Sequence, residues 1–185
     1  SMNRVNFLNT LRMTELQAAV LLAQLRKLET ILAHLRANKQ RFKAALADLP
    51  GIKFREITDR DGECATILTV ILPTAEVAHK IAKGLGTKVV AESGWHVYSN
   101  MEQILEKRTI TAEGCPFTCP YYKGEVAYRK GMLPQTDDIL SRAINIAIGV
   151  WDPGLGSAFG VTMREGFDAV DARVAEFRRV AMQYL

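Results

Sequence analysis

From Arg12 to Gly51, Leu21, Leu25, Leu28, Leu32, Leu35, Phe42, Leu46 and Leu49 recur in steps of three, four and seven. That spacing puts them on one stripe of a helix. Thr14 followed by Gln17 three residues on forms a capping box, each side chain satisfying an otherwise unpaired backbone N–H, with Met13 and Ala18 at the staple positions. Pro50-Gly51 closes the segment, because proline cannot continue the ladder and glycine suits a left-handed exit. The pattern predicts one helix of about 34 residues, about 50 Å long at the usual rise per residue.

The two halves of this helix differ. From Lys27 to Asp48 it is amphipathic, with Lys27, Arg36, Lys39, Arg41 and Lys43 available for a wet face. From Leu16 to Leu25 it is apolar nearly all round, interrupted only by Gln17 and Gln24. A helix apolar on every side is normally buried on every side. A compact body of this chain length is roughly 40 Å across, shorter than the helix. The Leu16 to Leu25 half is therefore expected to meet another subunit, or a part that this chain does not carry.

Beyond Gly51 the period changes. Ile52 to Ile57 alternates apolar and polar as a half-buried strand, Asp59-Arg60-Asp61-Gly62 is a turn, and Cys64 to Leu72 reads as a long buried strand. Pro73 bars its extension, and Thr74 caps a helix to Lys83 that Gly84 and Gly86 end. Lys88 to Ala91 is expected as a short third strand, Met101 to Lys107 as a helix, and Thr109 to Lys130 as mostly loop. Asp137 to Ala143 reads as a helical turn, Ile144 to Ile148 as a fourth strand, and Arg164 to Leu185 as a closing helix with Phe167, Val170, Val174, Phe177 and Ala181 at core spacing. Alternating strands and helices predict a small α/β sandwich.

Composition narrows the classes. With 185 residues and 48% hydrophobic content, the chain can bury a core of one domain plus the projecting helix. A net charge of +4, with acids and bases interleaved, gives no strong case for nucleic acid. No apolar run reaches the roughly 18 residues of a membrane span, and no signal peptide is visible. Three cysteines, an odd number, suit a reducing cytosol, so the cytoplasm is the expected compartment. Ser1-Met2 reads as a cloning remnant ahead of an internal start.

Few clusters carry chemistry. Gly94 to Asn100 sets His96 between Trp95 and Tyr98; an imidazole there can donate to or accept from a sugar or cofactor oxygen, or be a satisfied, partly buried side chain. Cys115 and Cys119 have three residues between them, not the two of a zinc knuckle, and lack a second ligand pair; an exposed active-site loop or a proline-stiffened structural loop fits better, and no metal is expected. Gly154 to Gly160 is glycine-rich but lacks the Gly-Lys-Ser/Thr ending of a phosphate loop, and reads as a flexible lead into the last helix. His34 and His79 are expected on solvated helix faces.

The run Arg12-Met13-Thr14-Glu15-Leu16-Gln17-Ala18-Ala19-Val20, followed by Ala23-Gln24-Leu25 and Lys27-Leu28, resembles the DegT/StrS family of pyridoxal-phosphate-dependent sugar aminotransferases. Leu133-Pro134 and Arg142 to Ile148 resemble the family's final loop and strand. In that family a Gly-x-Asn-x-Arg turn opens the long helix that leaves the large cofactor domain. Here Asn9 stands three positions before Arg12 instead of two, Thr10 takes the asparagine's place, and the glycine is missing. The resemblance implies the small C-terminal α/β domain of a fold-type I aminotransferase. It divides the chain into 1–13, a remnant and the end of the missing large domain; 14–49, the interdomain helix; and 50–185, the small domain. It assigns Asn9 and Arg12 to cofactor binding, and His96 and Tyr98 to substrate binding, with no catalytic residue of its own. The implied partners are the missing large domain and a second copy in a homodimer. The implied substrates are a keto-sugar and an amino acid, glutamate, with transfer through pyridoxal phosphate. The lysine that holds this cofactor and the group on its pyridine nitrogen are not recognisable here, so the chain alone is expected to be inactive. The competing reading is a non-catalytic helical dimerisation or adaptor domain, argued only from the leucine stripe; a coiled coil wants sustained heptads with opposed charges.

Overall fold

The computed structural model describes residues 13–94, 97–109, 114–117, 123–125 and 127–185. Thr14 opens the first helix, α1 (Glu15–Leu25), as the capping box requires. Gln17 N–H donates to Thr14 Oγ1 at 3.2 Å, and Thr14 N–H donates back to Gln17 Oε1 at 2.9 Å. The expected single long helix is cut: α1 ends at Arg26–Lys27 and α2 spans Leu28–Leu46. Neither proline nor glycine causes the interruption. Lys27 N–H reaches Gln24 O at 2.9 Å, a tighter i−3 bond, before Ile31 N–H resumes the ladder to Lys27 O.

A four-stranded sheet follows in the order β1 (Lys53–Phe54), β2 (Ile67–Ile71), β3 (Ala143–Ala147), β4 (Phe159–Gly160). The first two pairings are antiparallel, and β3–β4 is parallel. Side chains alternate across a strand, and the even positions Leu68, Val70, Ile144 and Ile146 join the core. Onto that face pack Leu35, Phe42 and Leu46 of α2, Ile81 of α3 (Ala75–Gly84), and Val170, Val174 and Phe177 of α6 (Phe167–Ala181). Thr74 caps α3 as expected, accepting from Val77 N–H at 3.2 Å. The opposite face is more polar. There Thr69 and Asn145 are register partners, and the threonine hydroxyl donates to Asn145 Oδ1 at 2.8 Å. The result is a mixed α/β architecture with α2, α3 and α6 layered on one face of the sheet.

Several boundaries move. The third strand expected at Lys88 to Ala91 is a single bridge, Val89 to Ile144, running into a 3₁₀ turn at Val90–Glu92. The helix expected from Met101 shrinks to one turn, α4 (Glu102–Leu105), while the turn expected at Asp137 grows into α5 (Pro134–Arg142), started by Pro134 at its first position. β4 was not expected. It lies so close to β3 that a Cβ on Gly160 would sit 2.1 Å from Ala147 O, so only glycine fits. Phe167 is exposed, under the Arg41 guanidinium 4.7 Å from its ring centroid, while Val170, Val174, Phe177 and Ala181 are buried. Lys39, expected on a wet face, is buried instead, against Glu63.

The contrast within the first 46 residues is sharp. In α2, Leu35, Asn38, Lys39, Phe42 and Leu46 are buried; in α1 no residue is. Leu16 is 77% exposed and Leu25 62%, with Val20, Leu21 and Leu22 each more than half exposed.

Candidate functional site

The candidate loop, from Thr87 to Met101, is tied at its start and its middle to the turn at 152–157 and across itself by Asn100. Gly94 N–H donates to Gly154 O at 2.8 Å, and the buried Thr87 hydroxyl donates to Gly156 O at 3.1 Å. Asn100 Nδ2 donates to the carbonyls of Ser93 and Gly94 at 2.8 and 3.0 Å, cinching the loop across its base. The glycine-rich segment is thus no loose lead. Gly156 sits at φ 69°, in the left-handed region, and a Cβ on it would meet Ser93 Cβ at 3.2 Å. Asp152 Oδ1 accepts from Gly154 N–H at 2.7 Å, Asp152 and Ser157 pair as an isolated bridge, and Asn145 Nδ2 reaches Leu155 O at 3.1 Å. The turn at 152–157 therefore bridges the polar sheet face and the candidate loop.

Tyr98 lies half-buried at the start of α5. Its hydroxyl donates to Asp137 Oδ2 at 2.9 Å and accepts from Leu133 N–H at 3.3 Å. Leu133 flanks α5 without a side-chain cap of its own, so the phenol satisfies one of the helix's spare donors. Of the other expected site residues, Asn9, Arg12 and His96 lie outside the described residues, as do Trp95 and Cys119. Cys115 lies half-buried in the turn at 115–117. Among the described residues no group of three His, Cys, Asp or Glu side chains is placed to hold a metal ion.

Asp137 and Asn100 have no functional signature in the sequence. Their roles depend on partners 39 and seven residues away, and a single acid or amide carries no local signal of that. His34, expected on a solvated face, instead donates through Nε2 to Glu165 O at 2.9 Å, beside Asn38 Nδ2, also at 2.9 Å. These two α2 side chains hold the turn before α6. The Glu165 carboxyl in that turn is held below its ordinary range by the Thr162 N–H, 2.6 Å from Oε2.

Pyridoxal phosphate needs a desolvated, uncommitted lysine amine and a polar cradle for its phosphate. Every lysine of the chain lies among the described residues, and Lys39 is the one that is buried. Its ammonium is already committed to Glu63. The described residues do not make a complete seat for the cofactor.

A family profile for the DegT/DnrJ/EryC1/StrS aminotransferases matches residues 4–151, from ahead of α1 through β3, and stops just short of the 152–157 turn.

Proposed function

The chain belongs to the DegT/DnrJ/EryC1/StrS aminotransferase family, and we propose that it is the small-domain portion of a transaminase that moves an amino group between glutamate and a keto-sugar by means of pyridoxal phosphate. In this reading the lysine-bearing large domain of the same enzyme is its partner, and two copies form a homodimer in the cytoplasm. Pyridoxal phosphate supplies the carrier for the amino group when bound, and Asn9 and Arg12 are its assigned binding residues in this chain. His96 and Tyr98 contribute to the substrate wall. Tyr98 anchors that wall through its bonds to Asp137 and Leu133, and the Gly94–Gly154 bond holds the middle of the loop.

The observation that carries this reading is α1. It is apolar on nearly every side and capped at its start, yet buries nothing. Such a helix fits a chain whose covering surface is on another body. The adaptor reading draws on the same leucines, but the stripe is cut at Arg26–Lys27 and its second half is spent on the core, which leaves too few heptads for a coiled coil.

The test mixes the purified chain with pyridoxal phosphate, desalts it, and follows retained cofactor absorbance and glutamate-dependent transamination. The expected result is neither retention nor turnover from this chain alone. A stoichiometric adduct on one lysine, with turnover, would show that the chain is not a portion. For the site, His96→Ala is expected to lower turnover of the enzyme carrying both domains while leaving this chain's melting temperature nearly unchanged; a loss of several degrees in the isolated chain would make His96 structural.

A further inference from the structure

A second site is suggested on the helix-packed side of the sheet edge, independent of the transaminase reading. A cavity of about 570 Å³ lies between α2, β1 and the loop from Arg55 to Glu63, within the size range of small-molecule sites. Its α2 wall carries Arg36, Lys39 and Lys43, three and four residues apart and so on one helix face. The loop adds Arg55 and Arg60, while the carboxylates are Glu56, Asp61 and Glu63, so cations exceed acids by two. Phe54 and Leu68 supply an apolar floor.

Lys39 separates this cavity from an ordinary solvated face. It is only 6% exposed, and its ammonium contacts the Glu63 carboxylate. An ammonium has three donors, and among the described residues that contact is its one polar bond. Arg36 Nε donates to Glu63 O at 2.9 Å, so Glu63 is held through both backbone and side chain and its charge is already balanced. Lys43 stands 5.5 Å from the Phe54 ring centroid, and neither Arg55 nor Arg60 has an ion-pair partner among the described residues. The Lys39–Glu63 pair balances both charges, but the ammonium keeps donors that further acceptors in the cavity can take up. Guanidinium forks match the geometry of phosphate oxygens. We infer that this cavity binds a small multivalent anion of the phosphate class, a phosphate monoester or diphosphate group, with Lys39 at its buried end and Arg55 and Arg60 at its mouth.

The experiment is calorimetric titration of the 185-residue chain with sodium pyrophosphate at low ionic strength. The expected result is saturable one-to-one binding with Kd below about 1 mM, weakening as salt is added. Arg55 and Arg60 are both exposed, so Arg55→Ala/Arg60→Ala should leave the melting curve in place while weakening binding about tenfold or more. Removing the same charge elsewhere, in Lys83→Ala/Arg129→Ala, should leave Kd unchanged. Lys39→Met/Glu63→Gln, which removes the buried charge pair together, should also weaken binding. Absence of saturable heat up to about 10 mM pyrophosphate, or equal weakening by the distant control pair, would overturn the site. Succinate binding as tightly as pyrophosphate would overturn its assignment to phosphates.

Discussion

α1 and α2 come from one uninterrupted helical pattern, yet they meet opposite fates. The more apolar of the two is the one that buries nothing. α2 mixes Leu35, Phe42 and Leu46 with charged residues and sends those three into the core against the sheet and α6. α1 offers leucine and alanine in nearly every direction and stays exposed. Hydrophobicity states what a segment would gain by burial; geometry decides whether the surface that covers it is present. An amphipathic stripe finds that surface on its own sheet, whereas an all-round apolar helix needs partners on several sides.

Substitutions sharpen that contrast. Phe42→Ala should cost about 3–5 kcal/mol of folding stability, because it empties a fully enclosed site. Leu22→Ala, in dilute solution, should change it by less than about 0.5 kcal/mol. Urea unfolding of both variants measures the difference; equal costs would mean that α1 packs as α2 does. Next in size is Lys39→Met, which strands the Glu63 carboxylate and should cost about 3 kcal/mol, with Lys39→Met/Glu63→Gln recovering most of the loss. Failure of the second change to rescue would show that the pair is not what holds the loop.

A smaller effect is confined to one helix. Thr14→Ala removes the capping box of α1 and should weaken that helix by about 1 kcal/mol. Amide exchange across 15–25 should speed up while the melting transition of the α2–sheet body stays put. A shift of the whole transition would tie α1 to the body.

The smallest effect concerns the surface pairs between α2, its C-terminal end and α6. Arg41 donates to both Asp171 oxygens at 2.6 Å, and Arg178 brackets Asp48. These hydrogen bonds hold both carboxyls below their usual range. A carboxyl lowered on folding adds stability above its unfolded pKa, and that stability is lost as pH falls through the lowered value. The melting temperature should therefore decline below about pH 4, and Asp171→Asn/Asp48→Asn should flatten that decline. Solvent and salt screen such exposed pairs, so the change should be modest.

What could be read from the sequence was what short-range chemistry decides. The caps at Thr14 and Thr74, and the core spacing from Leu35 to Leu46 and from Val170 to Ala181, depend on residues three or four apart. The misreadings came from contacts across the chain. Lys39 looked like a wet-face residue because Glu63, which lets it be buried, is 24 residues away. Gly154 to Gly160 looked loose because its bonds run to Thr87, Gly94 and Asn145. The loop at Lys88 to Ala91 has the β-branched residues of a strand, but only Val89 finds a bridging partner. The candidate site was half legible for the same reason. Tyr98 stood out as an aromatic beside a histidine, whereas Asp137, which fixes its hydroxyl, is an ordinary acid until the fold brings the two together.

The most direct test of the account is the association state of the isolated chain. If α1 is an interface helix, its leucines should find one another in the isolated chain. Burial of each is worth about 1.5–3 kcal/mol, enough in sum for a dimer at micromolar concentration. Light scattering behind size exclusion should give twice the 20.6 kDa chain mass, and Leu21→Lys/Leu25→Lys should return it to the monomer without disturbing the α2–sheet body. A strict monomer with 15–25 helical and exposed would contradict the account.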